Sequence, residues 1–265
     1  MKTILNRRVL SKKFTAMGLS AGMNLIVHSS LSSLGYVDGS AAAVIDALQD
    51  VLTKQGTLMM PSFNHGIPYQ KGELFDIRVT STTNGLIPDT FWRRDDVSRS
   101  MNPTHAFAAW GRQAKHYTAH HQDVPAMGPG SPLDLLMQDD GYCLLLGVDY
   151  QSNTFHHFVE TDTGAPCLSP RGEIYPVRCE NGQVIMAHTW GWRESACPIN
   201  DAALYAREMA RLGLHRQAAI GQATVTLYRL SDGYTVIARC LHDGYQGFPP
   251  CSRCQIRPRV CQYTV

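Results

Sequence analysis

The chain has 265 residues, a formal net charge of +2, 44% hydrophobic residues and 17% charged residues. These are the proportions of a globular protein with a core of its own, and the scattered lysines and arginines form no basic stripe for nucleic acid. No run approaches the ~20 apolar residues of a membrane span. Lys2, Arg7, Arg8, Lys12 and Lys13 are followed by no long apolar core, so a signal peptide is not expected and a cytoplasmic location is. Without repeats or a clear linker, residues 1–265 read as a single domain.

Met23 to His28 reads as a strand that ends in the polar turn Ser29-Ser30-Leu31-Ser32-Ser33-Leu34-Gly35. Ser40 is expected to cap the next helix. There Val44, Ile45, Leu48, Val51 and Leu52 fall on one face, and Gly56 is expected to end it. Thr57 to Met60 is a short buried strand. Strand, helix and strand in this order form a βαβ unit, which argues for a parallel sheet. Ser62 to Asn84 has no period and reads as a long loop, a place where function often lies. Leu86 to Arg94 reads as a helix, His105 to Trp110 as a strand, and Ser131-Pro132 as a helix start with proline at its first position.

Tyr142 to Val148 is an apolar run expected to be a buried strand, and Ser152 to Glu160 follows at its carboxyl end, where open α/β sheets hold ligands. Beyond it, Val177 to Met186 alternates around Asn181-Gly182 as a hairpin. Asp201 to Leu212 reads as a helix capped by Asn200 or Asp201, Ala223 to Leu230 as a strand, and Tyr234 to His242 as the last helix.

Eight cysteines are too few for a disulfide scaffold in a chain of this length. Cys143 lies in the apolar run and reads as a core residue. Cys251, Cys254 and Cys261 sit in a C-terminal tail, residues 246–265. Cys251-Ser252-Arg253-Cys254 has half the spacing of a zinc site, which Cys261, Cys240 or a histidine would have to complete. Free thiols are the expectation there, and no metal is assigned.

The chemistry concentrates at His156, His157 and Glu160. Residues three or four apart share a helix face, so Glu160 can meet either histidine. A carboxylate beside an imidazole fixes its tautomer and makes the ring a better general base. The same spacing could supply metal ligands, or hold one histidine in the core and leave the other in water. His28-Ser29-Ser30 could hold a phosphate or an acyl oxygen, and Arg99 could pair with a phosphate. No GxSxG elbow and no HExxH is present.

These segments, in this order, resemble the aminoglycoside 3-N-acetyltransferase family over roughly residues 20 to 230. The resemblance rests on Val27 to Gly35, Gly56 to Phe63, Arg99 to Gly111, Gly130-Ser131-Pro132, and Leu144 to Val148 running into Ser152-Asn153-Thr154 and His157 to Glu160. It implies an α/β fold with a mixed, largely parallel central sheet and helices on both faces, distinct from the common small acetyltransferase fold. It implies acetyl-CoA (acetyl-coenzyme A) as cosubstrate and a small-molecule amine as acceptor, such as the 3-amino group of an aminoglycoside; direct transfer in a ternary complex is the expected route. Nucleic acid and membrane are not expected partners.

By the same resemblance His157 is the catalytic base; Glu160, one turn on, or a carboxylate such as Glu194 or Asp201, could orient it. His28, Ser29, Ser30, Leu31, Arg99, Ser100 and Asn153 are expected at the cofactor, and Phe63, Asn64, Glu194 and Asp201 at the substrate. Backbone N–H groups around Ser29 to Leu31 are the expected donors to the thioester oxygen. Asn102 stands where the family often has histidine, and Trp190 to Asp201 lacks the Glu-Asn-Asp run of antibiotic-modifying members. Two other readings stay open: a metal-dependent hydrolase using His156, His157 and Glu160 with Asp149 or His105, and a non-catalytic CoA-binding or zinc-stapled protein.

Overall fold

The computed structural model describes residues 4–65, 73–163, 174–189 and 202–246. Along the first half run α1 (Arg7–Ala16), β1 (Asn24–Ser29), α2 (Ser40–Leu52), β2 (Thr57–Pro61), β3 (Phe75–Asp76), α3 (Leu86–Trp92), β4 (Ser98–Arg99), β5 (Phe107–Gly111) and α4 (Ala114–Thr118). Then come α5 (Pro132–Gln138), β6 (Tyr142–Leu146), α6 (Phe155–Asp162), β7 (Ile174–Arg178), β8 (Val184–His188), α7 (Ala202–Arg211), β9 (His215–Ile220), β10 (Ala223–Arg229) and α8 (Leu230–Gln246). No helix among the described residues is long and apolar enough to cross a membrane.

The main sheet has seven strands in the order β4-β5-β2-β1-β6-β10-β9. β1 lies between β2 and β6 and is parallel to both. The outer pairings are antiparallel, yet five of the seven strands run in one direction. The sheet is therefore mixed, with a parallel centre. A second sheet, β3-β7-β8, lies apart from it.

Alternation along the central strands builds two cores. Leu25, Val27, Leu58, Met60, Leu144 and Leu146 pack with α1, α2 and α3 on one face. Ile26, Met59, Cys143 and Leu145 pack with α4 to α8 on the other. Each fully buried leucine contributes about 1.5–3 kcal/mol, and covering both faces is what lets the parallel centre be apolar throughout.

Several elements differ from expectation. Gly39, left-handed at φ +82°, caps α2 in place of Ser40, because the chain must reverse sharply out of the preceding turn. α2 ends at Leu52, with Thr53 at φ +57°, and does not run on to Gly56. α1 is an addition to the expected elements; its Arg7 grips Asp50 of α2 through two bonds, Nε–Oδ2 at 2.6 Å and Nη2–Oδ1 at 2.5 Å. β9 is a second addition, an edge strand whose residues mostly face solvent and so carry no apolar pattern. The last helix starts at Leu230, directly off β10. The expected caps Asn200 and Asp201, and the tail cysteines Cys251, Cys254 and Cys261, lie outside the described residues; Cys143 is a buried free thiol, as its place in the apolar run implied.

Because β1, β2 and β6 are parallel, their carboxyl ends meet on one rim of the sheet, and the polar segments after Ser29, Pro61 and Leu146 emerge together. Gly147 permits that convergence. Its φ is +72°, and a Cβ there would stand 2.8 Å from the Ser33 Cβ. Gly147→Ala is therefore expected to lower unfolding free energy by about 1–2 kcal/mol from the backbone alone, read as a reduced urea midpoint with an unchanged slope.

Candidate functional site

α6 begins a few residues after Gly147. Asn153 is fully buried, and its Oδ1 accepts the Phe155 N–H at 3.2 Å, which fixes where the helix starts. Phe155, Phe158 and Val159 anchor α6 in the core, and this turns His157 and Glu160 to a common face. His157 Nδ1 lies 2.9 Å from Glu160 Oε2. The Glu160 side chain is 0% exposed and that of His157 is 21% exposed. With Glu160 ionised the carboxylate can only accept; in that state Nδ1–H is the donor and the lone pair of the neutral ring is on Nε2, the form a general base requires.

His156 is buried, its ring centroid 3.9 Å from that of His157. One ligand atom from each of His156, His157 and Glu160 falls within a span of 4.8 Å, a geometry that could also hold a cation.

His28 ends the buried part of β1, with Nε2 3.4 Å from Thr154 Oγ1, just ahead of α6. Burial pushes its pKa down to about 3, so it is neutral at ordinary pH. Ser29, Ser30 and Leu31 line an open groove of about 630 Å³, with Ser32, Tyr36 and Leu86 on its walls. One expected donor is unsuited to the thioester oxygen: the Ser30 N–H is bonded to Leu146 O at 2.9 Å within the sheet. The hydroxyls of Ser30, Ser32 and Ser33 form a short hydrogen-bonded chain beside it.

Three expected cofactor residues do other work. The Arg99 guanidinium is buried, donates to the carbonyls of Thr80 at 2.6 Å, Ser62 at 3.2 Å and Ile77 at 3.3 Å, and lies over the rings of Trp92 and Phe75. It braces the loop after β3 and is not presented to a phosphate. Ser100 Oγ accepts the Phe107 N–H at 2.8 Å and lies 2.7 Å from His121 Nδ1. His121 Nε2 donates to Ala126 O at 2.8 Å, so Nδ1 accepts from Ser100. Asn153, tied to the start of α6, is likewise part of the scaffold. Sequence spacing could not separate such buried polar residues from ligand contacts.

On the substrate side, Phe63 and Asn64 follow β2 and are buried. The Asn64 N–H donates to Thr104 O at 2.9 Å, and the Phe63 ring packs 4.9 Å from His105. Glu194 and Asp201 lie outside the described residues. Asn102 Oδ1 accepts the N–H groups of Thr104 and His105 at 3.1 and 2.8 Å, which folds the turn that presents His105. His105 Nε2 meets His65 Nε2 at 2.9 Å. Sequence reasoning missed His65. It sits in an aperiodic loop 40 residues from its partner, and only the loop's length hinted at a role.

With this geometry in view, the comparisons are specific. Residues 26–242 match the family described as Aminoglycoside 3-N-acetyltransferase. The chain is 37% identical over 174 residues to the SPbeta prophage-derived aminoglycoside N(3')-acetyltransferase-like protein YokD of Bacillus subtilis, covering 58% of this chain and 64% of that protein. It is 32% identical over 218 residues to aminoglycoside N(3)-acetyltransferase IV of a Salmonella species, covering 82% and 79%. A crystal structure of a histidine-to-alanine mutant of aminoglycoside acetyltransferase AAC(3)-IVa in complex with a gentamicin superposes with a TM-score of 0.81 at 27% identity, covering 100% of this chain and 99% of that one. The fold and site thus define an acyltransferase built on a mixed sheet. The chain belongs to the aminoglycoside 3-N-acetyltransferase family.

A pH dependence follows from the buried imidazoles. Burial pushes His28 to about 3 and His121 to about 4, both below the unfolded value near 6.5. Between those limits the unfolded chain binds protons that the folded chain refuses, so stability is highest above about pH 6.5 and falls as pH drops towards 3–4. Unfolding free energies measured from pH 7 to 4 should decline, and His121→Gln should flatten the slope; an unchanged slope would contradict the assignment.

Proposed function

We propose that this chain transfers the acetyl group of acetyl-CoA to an amine of an aminoglycoside or a related amine, acting as one acetyltransferase domain. The observation that carries the reading is the contact between His157 Nδ1 and the buried Glu160 carboxylate at 2.9 Å. The family match supports the acyl-transfer chemistry and its cosubstrate over the metal-hydrolase alternative.

An amine attacks a thioester through its lone pair, yet alkyl amines are mostly protonated near neutrality. His157 Nε2 takes a proton from the attacking nitrogen, while Glu160 holds Nδ1–H and stabilises the imidazolium that forms. The ionised Glu160 also favours a cationic acceptor nearby. The groove along Ser29 to Leu31 is assigned to coenzyme A, since it opens at the carboxyl end of β1 beside α6. With the Ser30 N–H engaged, the Leu31 N–H and the serine hydroxyls of this turn are the remaining candidates for the thioester oxygen. Cys143 is not an acyl carrier in this reading: it is buried, and burial holds its thiol at about 12. The proposed route is direct transfer in a ternary complex.

Thiol release from acetyl-CoA, measured against a panel of aminoglycosides and simple amines, tests the proposal. Release should depend on the amine, and His157→Ala should lower kcat/KM by about 10²–10⁴-fold while coenzyme A binding persists. Amine-independent release, or full turnover in the variant, would overturn it. Glu160→Gln keeps the shape but removes the charge and should lower kcat more than it raises KM. Metal analysis of the same protein decides the alternative use of His156, His157 and Glu160, because a stoichiometric cation bound there would replace the general-base reading.

A further inference from the structure

Adjacent residues on a helix point about 100° apart and do not face each other. His156 and His157 depart from this. Their ring centroids are 3.9 Å apart with planes at 58°, so the two imidazoles turn towards the same space. Glu160 reaches that space from the same helix, with Oε2 2.9 Å from His157 Nδ1. One ligand atom from each of the three side chains lies within 4.8 Å of the others. Ligands around a tetrahedral cation stand about 3.3 Å apart, so side-chain rotation has to close the cluster by no more than about 1.5 Å. His156 and Glu160 are buried, on a helix anchored by Phe155, Phe158 and Val159, so the fold itself holds them together. The His157 side chain, 21% exposed, gives the cluster its opening.

The geometry points to an inhibitory cation site: a divalent transition ion of the zinc class binds His156, His157 and Glu160 and stops acetyl transfer by occupying the base. This rests on the acetyl-transfer reading above. The donor set selects the ion. Two imidazoles and a carboxylate suit zinc and its transition-metal neighbours, whereas magnesium and calcium take oxygen ligands. Three protein ligands leave the fourth position to water. The buried carboxylate, when ionised, offsets one of the two charges that the cation brings.

Inhibition follows from the electron pairs of the ring. A neutral imidazole has one free lone pair on nitrogen. A cation on Nε2 takes that pair directly. A cation on Nδ1 drives the proton there to Nε2, and the pair is again spent on the metal. Either way His157 keeps no nitrogen that can accept a proton from the attacking amine. No covalent bond of acceptor or thioester is made or broken and no oxidant or reductant takes part, so removing the cation restores the enzyme. Cation and turnover are alternatives at one set of atoms, whereas a metal hydrolase needs its cation for catalysis.

The test uses chelator-treated protein, free zinc fixed by a metal buffer, and formation of the acetylated amine as the readout, since the thiol product itself binds zinc. Zinc should lower wild-type turnover to the level of His157→Ala, a loss of about 10²–10⁴-fold, and excess chelator should restore it. Magnesium at the same concentration should have no effect. Half-inhibition of His156→Gln should need at least about tenfold more free zinc than the wild type, each compared with its own zinc-free rate. Cobalt(II) reports on the site without turnover: the difference spectrum between wild type and Glu160→Gln should show the visible bands of a four-coordinate ion and no thiolate charge-transfer band. Should His156→Gln unfold, this spectrum decides. Turnover indifferent to zinc, equal zinc sensitivity in a folded His156→Gln, or a featureless cobalt difference spectrum would each overturn the site. Failure of the parent reading looks different: the chelator-treated wild type would then form no acetylated amine, or would form it only when zinc is added.

Discussion

A carboxylate sealed from water must be answered by hydrogen-bonding partners, and one contact of Glu160 is with the His157 imidazole at 2.9 Å. The rest of the site is arranged around this constraint. An unpaired buried polar group is costly, so the contact holds the ring in one orientation. The orientation that satisfies Glu160 is also the one that leaves a basic nitrogen on the opposite edge of the ring. In the proposed mechanism, orientation of the ring and readiness for proton transfer come from the same contact.

The sheet places this contact. Three parallel strands, β2, β1 and β6, bring three polar segments to one rim. The segment after β1 carries the serine turn and its groove, the one after β2 leads to Phe63 and His65, and the one after β6 leads into α6. Antiparallel strands on either side widen the sheet without adding further segments at that rim's centre. Buried polar residues then lock the loops: Arg99 by three carbonyls, Ser100 by His121, Asn102 by two N–H groups, Asn153 by the start of α6. Such groups hold a loop in one conformation because leaving any of them unpaired would cost about 1–3 kcal/mol.

What could be read from the sequence was whatever depends on short spacing. An apolar run of strand length announced β6, a helical period announced α2, and a separation of three residues put His157 beside Glu160. Pro132 announced the start of α5 through its missing N–H, and Ser131 caps the helix. What could not be read depends on contacts between distant segments. Arg99 is the plainest instance: a lone arginine before a strand suggests a phosphate, but its partners are carbonyls of a loop 19 to 37 residues away. His65 and His105 likewise become a pair only once β2 and the turn before β5 are side by side. β9 shows the converse limit, since an edge strand with exposed side chains has no apolar signature to find.

The tautomer of His157 tests the central claim most directly. Nitrogen-15 shifts of the labelled imidazole, recorded in the neutral ring, distinguish a protonated Nδ1 from a protonated Nε2. The account predicts the proton on Nδ1, facing Glu160, and a shift of that signal in Glu160→Gln. A ring protonated on Nε2, or one whose signals ignore the loss of the Glu160 charge, would contradict it.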